Sequence, residues 1–312
     1  MKNIFITGGC GYVGSVLTKY LIEKGYKITV YDTQWFGNNL ETNSNLTIIK
    51  GDIRNIDNIN FENYDAIIHL ANIANDPSVD LNPVLSWEVN VLSSKYLIEK
   101  AIKSGVKKFC YASSGSVYGI KEEEKVTEDL DLVPISVYNK TKMIAERVFE
   151  SYRDQINIFN IRPATVCGLS PRMRLDVSVN MFVHQALKNK KITLFGGDQV
   201  RPNIHILDMA RVYEFFLTQD IEPGVYNAGF ENYSLKSIVE KIQKEIDCEV
   251  IITESNDPRS YRQDSSKLLS RGFKQQYGVD EAIKEIKHAY LENLLPDSDI
   301  CYTVKWMKKL EL

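Results

Sequence analysis

Thr7-Gly8-Gly9-Cys10-Gly11-Tyr12-Val13-Gly14 decides the fold. An apolar run from Ile4 leads into it, and the residues that follow put Val13, Val16, Leu17, Tyr20 and Leu21 at helical spacing. A glycine-rich turn between a strand and a helix is the phosphate-binding fingerprint of a dinucleotide fold. Gly8 allows the tight turn, Gly11 lets the backbone approach a diphosphate, and Gly14 permits close helix packing, while the helix N-terminus offers free N–H groups to the anion. Cys10 fills a small-residue slot in this loop, in place of alanine. Asp32 ends the next β-rich run, Ile28 to Tyr31, at the expected distance along the chain. A carboxylate there accepts hydrogen bonds from both ribose hydroxyls and repels a 2′-phosphate, so NAD is expected over NADP.

The same alternation continues outward. Leu46 to Ile49, Ala66 to Leu70 and Phe109 to Ala112 read as further strands, and helices are expected over Val84 to Ser104 and Val137 to Tyr152. Gly25 and Gly105 stand where helices end in a left-handed cap. This rhythm implies an α/β fold, a Rossmann doubly wound parallel sheet. After about Arg162 the loops lengthen around Pro163, Pro171, Gly196, Gly197 and Pro202, with helices near Leu235 to Ile246 and Asp280 to Leu291. The expected division is an NAD-binding domain over 1–165, with part of 203–222 returning to it, and a smaller C-terminal substrate domain over 166–312. After Ser234, Leu235, Ile238, Val239, Ile242 and Ile246 form one apolar stripe that reads as core packing.

Composition narrows the class. A chain of 312 residues suits about two domains, and 38 basic against 41 acidic side chains leave a net charge of −3. With 44% hydrophobic and 25% charged residues, disorder, collagen and coiled coil are poor fits. No basic cluster dominates, which disfavours nucleic acid as a main partner. The charge run Lys121 to Lys125, with Glu128 and Asp129, reads as a solvated loop. Cys10, Cys110, Cys167, Cys248 and Cys301 are odd in number and form no CxxC pair, which points to reduced thiols and a cytoplasmic protein. The N-terminal apolar run is too short for a secretory segment, and no stretch is long and apolar enough to span a membrane.

Tyr138-Asn139-Lys140-Thr141-Lys142 sets a tyrosine and a lysine one helical turn apart and so on one helix face. Ahead of it, Ser113-Ser114-Gly115-Ser116-Val117-Tyr118-Gly119 follows a strand. With these stretches and the glycine loop, the chain resembles the extended short-chain dehydrogenase/reductase family, and within it the NAD-dependent nucleotide-sugar epimerases and dehydratases. Further matching positions are Gly51-Asp52, His69-Leu70-Ala71, Asn90, Arg162-Pro163, Arg201 with His205 and Asp208, and Arg259 with Asp264.

That resemblance implies roles. Tyr138 is the expected base that takes a proton from a sugar hydroxyl as hydride leaves the same carbon for NAD; Ser114 orients the hydroxyl, and Lys142 holds the nicotinamide ribose and lowers the tyrosine pKa. Ser116 is the second candidate serine, and Ser113 caps the turn or contacts the cofactor. NAD is expected to meet Gly8, Gly11, Tyr12, Val13, Gly14, Asp32, Asp52, Ile53, Leu70, Ala71, Asn72, Ser113, Tyr138, Lys142 and Pro163. A phenolate working near pH 7 needs a shift of about 3 units, roughly 4 kcal/mol. One cation about 4 Å away supplies that much at an effective dielectric near 20.

The resemblance also implies a nucleotide-diphosphate sugar, GDP-, UDP- or dTDP-linked, met by Ser114, Ser116, Thr165, Arg172, Arg174, Arg201 and Arg259. A guanidinium fork suits the diphosphate, a task expected of Arg201 and Arg259. Arg172 and Arg174 either join that site or lie on a solvated loop. Their segment, Ser170 to Asp176, is similar to a subgroup acting on sugars of bacterial surface polysaccharides, including GDP-heptose C4-dehydrogenases. Dehydratases of the family carry an Asp-Glu pair where this chain has Gly115 and Ser116, so 4,6-elimination is not expected. His69, His184, His205 and His288 share no short spacing; no metal is expected, and His69 and His205 read as structural. The family implies a homodimer through the helices over 84–104 and 137–152. The readings are thus C4 oxidation of a nucleotide sugar by a 4-epimerase or 4-dehydrogenase, reduction of a 4-keto sugar, or a non-catalytic dinucleotide sensor.

Overall fold

The computed structural model describes residues 2–55, 57, 59–254 and 260–312. The first half runs β1 (Asn3–Thr7), α1 (Tyr12–Glu23), β2 (Lys27–Asp32), β3 (Leu46–Lys50), β4 (Ala66–His69), the short α2 (Asp76–Val79) and α3 (Pro83–Trp87), then α4 (Ser93–Lys103), β5 (Lys108–Ala112), α5 (Val137–Glu150) and β6 (Asn157–Pro163). The second half runs β7 (Thr165–Cys167), α6 (Ser178–Asn189), β8 (Lys191–Phe195), β9 (Val200–His205), α7 (Ile206–Thr218), β10 (Gly224–Ala228), β11 (Glu231–Ser234), α8 (Leu235–Glu245), β12 (Glu249–Thr253), α9 (Ser266–Ser270), α10 (Val279–Leu291) and α11 (Thr303–Lys309).

Seven strands form one parallel sheet in the order β10-β6-β5-β4-β1-β2-β3. The order reverses between β1 and β4, and a crevice opens there at the carboxyl ends of the strands. Both faces are covered. Ile4 and Ile6 of β1 pack toward α1 and α7, whereas Phe5 between them packs with Ile67, Phe109 and Phe149 toward α4 and α5. Chain from the second half therefore re-enters this layer: α7 lies on α1, and β10 pairs with β6 as the last strand.

The rest of the second half packs around its own apolar cluster, with Val179, Phe182 and Val183 of α6 against Ile238 and Ile242 of α8 and Ile283 and Ile286 of α10. The Ser234 stripe is core, as its spacing predicts, and the Ser234 hydroxyl caps α8 by accepting from the Ser237 N–H at 3.0 Å. Two smaller sheets, β11-β9-β7 and β12-β8, complete this half.

Two local expectations need correction. The helix over 84–104 is not continuous: a π-helical turn over Glu88–Leu92 separates α3 from α4. The wider turn holds Asn90, whose side chain accepts from the Ile73 N–H at 2.8 Å and donates to the Thr141 hydroxyl at 3.1 Å, tying this helix to the strand-end loop and to α5. In the charged run, Glu122 to Lys125 are exposed, but Glu128 is half-buried and accepts from the Asn227 N–H at 2.7 Å. Among the described residues, no helix is long and apolar enough to cross a membrane.

Candidate active site

Along the switch-point crevice runs a cavity of about 350 Å³. Its wall begins at Asp32 and Asp52, passes the glycine loop, and ends at Ser114, Tyr138 and Lys142. The loop has the backbone that its glycines require: Gly8 has φ +74°, and a Cβ at Gly14 would meet the Gly8 carbonyl oxygen at 2.3 Å. Gly11 differs. A Cβ there would touch only the Gly8 oxygen, at 3.3 Å, and would otherwise stand in the cavity. No side chain caps the start of α1 and no acid sits in its first turn, so its N–H groups are free for an anion.

Asp32 is held by the N–H groups of Gln34, at 2.7 Å, and Cys10, at 3.0 Å; burial raises its pKa against those bonds and the nearby Arg172 charge. The Cys10 thiol is pushed up to about 12 by burial and by Asp32, which rules out a reactive thiolate. Asp52 is bound by Arg54 at 2.8 Å. Ile53, Leu70, Ala71, Asn72, Ser113 and Pro163 also line the wall. The Asn72 amide nitrogen donates to the Leu70 carbonyl at 2.7 Å, leaving its buried oxygen without a partner. Glycine cradle, free helix N-terminus and ribose-height carboxylate together fit a dinucleotide.

At the far end, Ser136 caps α5 by accepting from the Asn139 N–H at 3.1 Å, and the helix presents Tyr138, Lys142 and Glu146 one turn apart. Lys142 is 1% exposed; its ammonium donates to the Ala112 carbonyl at 2.7 Å and lies 5.9 Å from the Tyr138 ring centroid. Ser114 lines the same end of the cavity as Tyr138, lowering the phenol's pKa, and its hydroxyl stands 2.7 Å from that of Ser116. Ser113 is committed elsewhere: it donates to Glu146, which also pairs with Arg162 at 2.7 Å.

The electrostatics correct one expectation. Burial pushes Tyr138 up to about 12, and Ser114 and the charge of Arg174 only partly offset it. Lys142 is itself pulled down to about 7 by burial, with Glu146 opposing. The phenol is thus harder to ionise than a free tyrosine, and Lys142, itself pushed toward its neutral form, is weakened as the cation meant to offset this. Tyr138 needs further positive charge at the site.

His69 is buried beneath this end, its ring nitrogens bonded to the hydroxyls of Thr7 at 2.7 Å and Ser94 at 2.9 Å. Burial, reinforced by Lys142, lowers its pKa from 6.5 to about 3. The unfolded chain takes up this proton near pH 6.5 and the native protein only near pH 3, so the stability due to neutral His69 is lost as pH falls through that window. The slope is expected to reach about 1.4 kcal/mol per pH unit. Urea denaturation at several pH values should show His69→Gln with a shallower decline than the parent; equal slopes would contradict this account. His205 is structural too, capping α7 by accepting from the Leu207 N–H at 3.2 Å.

The expected substrate residues divide. Thr165, Arg172 and Arg174 line the cavity, and Arg174 is paired with Asp176 at 2.8 Å, so this segment is no solvated loop. Ser116 stands one bond behind Ser114, off the cavity wall. Arg201 lies on β9 away from that wall, with a guanidinium nitrogen donating to the Val200 carbonyl at 3.1 Å. Arg259 falls outside the described residues. Sequence reasoning missed Trp35 and Phe36 after β2 and Thr303 and Met307 of α11, all of which line the cavity. Neither stretch carries a periodic or motif signal. Glu146 was legible in principle, as the third member of the Tyr138/Lys142 helix face. Among the described residues, no group of three His, Cys, Asp or Glu converges as a metal site.

Comparison with known proteins agrees with this geometry. The model of the NAD dependent epimerase/dehydratase family matches residues 4–229. A UDP-glucose 4-epimerase of Halalkalibacterium halodurans is 28% identical over 318 residues, covering 92% of this chain and 94% of its own. One of Corynebacterium glutamicum is 26% identical over 290 residues, with 85% and 88% covered. The crystal structure of the UDP-glucose 4-epimerase of Thermotoga maritima with UDP-glucose superposes with a TM-score of 0.82 at 25% identity, over 94% of this chain and 100% of that one. The fold, the dinucleotide cradle and the matched family model lead to one conclusion: this chain belongs to the NAD dependent epimerase/dehydratase family and is an enzyme with NAD as its cofactor.

Proposed function

We propose that this enzyme oxidises C4 of a nucleotide-diphosphate sugar, as a 4-epimerase or a 4-dehydrogenase. The observation that carries the reading is Tyr138 and Ser114 lining one end of the dinucleotide cavity together, backed by Lys142. Bound NAD supplies a hydride acceptor and, when oxidised, a positive charge. Tyr138 takes the proton of the C4 hydroxyl, Ser114 orients that hydroxyl, and Lys142 holds the nicotinamide ribose. The glycine loop and Asp32 hold the adenosine diphosphate half. Elimination is disfavoured because Gly115 and Ser116 supply no carboxylate there, and a Cβ on Gly115 would already be tight, 3.1 Å from the Tyr261 hydroxyl and 3.2 Å from the Gln263 amide.

Arg174 and Thr165 face the sugar nucleotide in this reading, and Arg259 is kept as a further diphosphate ligand on the resemblance alone. Residues 166–312, apart from α7 and β10, form the substrate domain, and the enzyme works in the cytoplasm on sugars for bacterial surface polysaccharides. It does so as a homodimer. The exposed Val84, Leu92 and Tyr96 on the α3–α4 rod support this, since a second copy would bury them. Light scattering should give twice the chain mass, and Tyr96→Glu should shift it toward the monomer; a monomeric parent protein would count against the dimer.

The deciding experiment adds UDP-, GDP- and dTDP-sugars one at a time to the NAD-loaded enzyme while reduced-nicotinamide absorbance is followed. Lasting reduction means a 4-dehydrogenase, and sugar interconversion without net reduction means a 4-epimerase. Turnover only with a 4-keto sugar and reduced cofactor would overturn the reading in favour of a reductase.

A further inference from the structure

Arg172 lines the cavity as expected of a substrate residue, but its surroundings point elsewhere. Its side chain is 5% exposed, its guanidinium carbon lies 4.0 Å from the centre of the Phe36 ring, and one terminal nitrogen donates to the Thr303 hydroxyl at 3.2 Å. Its Nε is buried without a hydrogen-bond partner, and no carboxylate of the described residues stands at ion-pair distance. Burial and the like charge of Arg174 lower its pKa to about 10. A charge kept this dry, with an N–H unmet, is costly unless an anion completes it.

The segment that carries it is stitched to the start of α1. Ser170 donates to the Tyr12 carbonyl at 2.7 Å, its hydroxyl lies 3.0 Å from that of Ser15, and the Tyr12 hydroxyl donates to the Gly168 carbonyl at 2.8 Å. Two residues further on, Arg172 reaches the cavity close enough to Asp32 to lower that acid's pKa. It therefore stands beside the uncapped N-terminus of α1 and the ribose carboxylate, at the opposite end from Tyr138. Its two supports come from other parts of the chain: Phe36 from the loop after β2, and Thr303 from α11, which is fastened to the same loop by the Trp306 indole donating to the Trp35 carbonyl at 2.6 Å.

We infer that Arg172 is an anchor for the diphosphate of the dinucleotide cofactor, closing over it from the second half of the chain opposite the glycine loop, and not a ligand of the sugar nucleotide. The guanidinium offers its second terminal nitrogen, the one not donating to Thr303, to phosphate oxygens while Phe36 and Thr303 keep it from turning away. The inference rests on the family's cofactor and is independent of which sugar carbon is oxidised.

The test is equilibrium binding by calorimetry to protein stripped of nucleotide, using NAD, ADP and adenosine as probes, with Arg172→Met, which keeps an apolar stem on Phe36, and Arg172→Lys. Arg172→Met is expected to raise the Kd for NAD and ADP about tenfold or more and to leave adenosine within twofold, because only the phosphates are lost as partners. Arg172→Lys should recover part of the loss. A shift in adenosine as large as that in ADP would overturn the inference, since it would mark a packing role. So would unchanged NAD and ADP affinities with weakened UDP binding to the NAD-saturated protein, which would return Arg172 to the sugar nucleotide. If Arg172→Met fails to fold, Thr303→Val reads the same ADP-to-adenosine ratio, and an unchanged ratio there and in Arg172→Lys counts against the anchor. Failure of the C4 reading leaves all these binding results untouched.

Discussion

Tyr138→Phe is expected to lower kcat by about 10²–10⁴-fold, the usual worth of a positioned acid–base group. NAD affinity should stay within twofold, because the lost hydroxyl lies at the Ser114 end of the cavity, away from the glycine loop proposed to meet the phosphates. The measurement is single-turnover nicotinamide reduction beside NAD titration. Full turnover would dismiss Tyr138 as the base. The effect should be large because nothing stands ready to replace it: His69 is held neutral with its pKa near 3 and both nitrogens occupied. Lys142, pulled down to about 7, is already engaged with the Ala112 carbonyl. With the phenol raised to about 12 in the protein alone, the base depends on positive charge nearby, and Arg174 contributes some of it. Arg174→Met should therefore raise the Tyr138 pKa and move the rise of kcat with pH to higher pH.

Glu146→Ala should cost about 3–5 kcal/mol of folding stability, the penalty for stranding a buried charge. Glu146 and Arg162 are each 4% exposed at the side chain and meet through three hydrogen bonds of 2.7 to 3.2 Å. Arg162 also donates to the Tyr118 hydroxyl at 2.7 Å, which donates in turn to Asn227 at 2.8 Å, so β6, the serine loop and β10 share one network. Burial works against the Arg162 charge, but Glu146 prevails and holds its pKa up. Removing the carboxylate also frees Ser113 and withdraws the negative charge that opposes the fall of the Lys142 pKa. Urea denaturation gives the number, and a loss under about 1 kcal/mol would show that the pair is not the brace described.

Much of this was legible from local chemistry. The strand–glycine loop–helix unit and the Tyr138/Lys142 face are set by residues within one or two turns of each other, and Asp32 by the end of the next strand of the same unit, where φ/ψ needs and periodicity leave few solutions. The helix over 84–104 was read as unbroken because apolar spacing does not report a π-turn; Asn90 makes one by reaching Ile73, a contact between segments. Lys142 was read as a ready cation for the same reason, since spacing places it beside Tyr138 but says nothing of the water it loses.

What the sequence by itself determined, then, is the glycine-loop turn and the Tyr138/Lys142 helix face, because each is written in consecutive or helically spaced residues whose covalent geometry brings them together. What only the tertiary structure decided is how the cavity closes and how charge is distributed in it. Arg172, Phe36 and Thr303 meet at one point from positions far apart in the chain. The pKa of Tyr138 depends on burial by elements that no local pattern orders. Desolvation and long-range packing are properties of the folded volume, and only the assembled sheet and its covering helices create that volume.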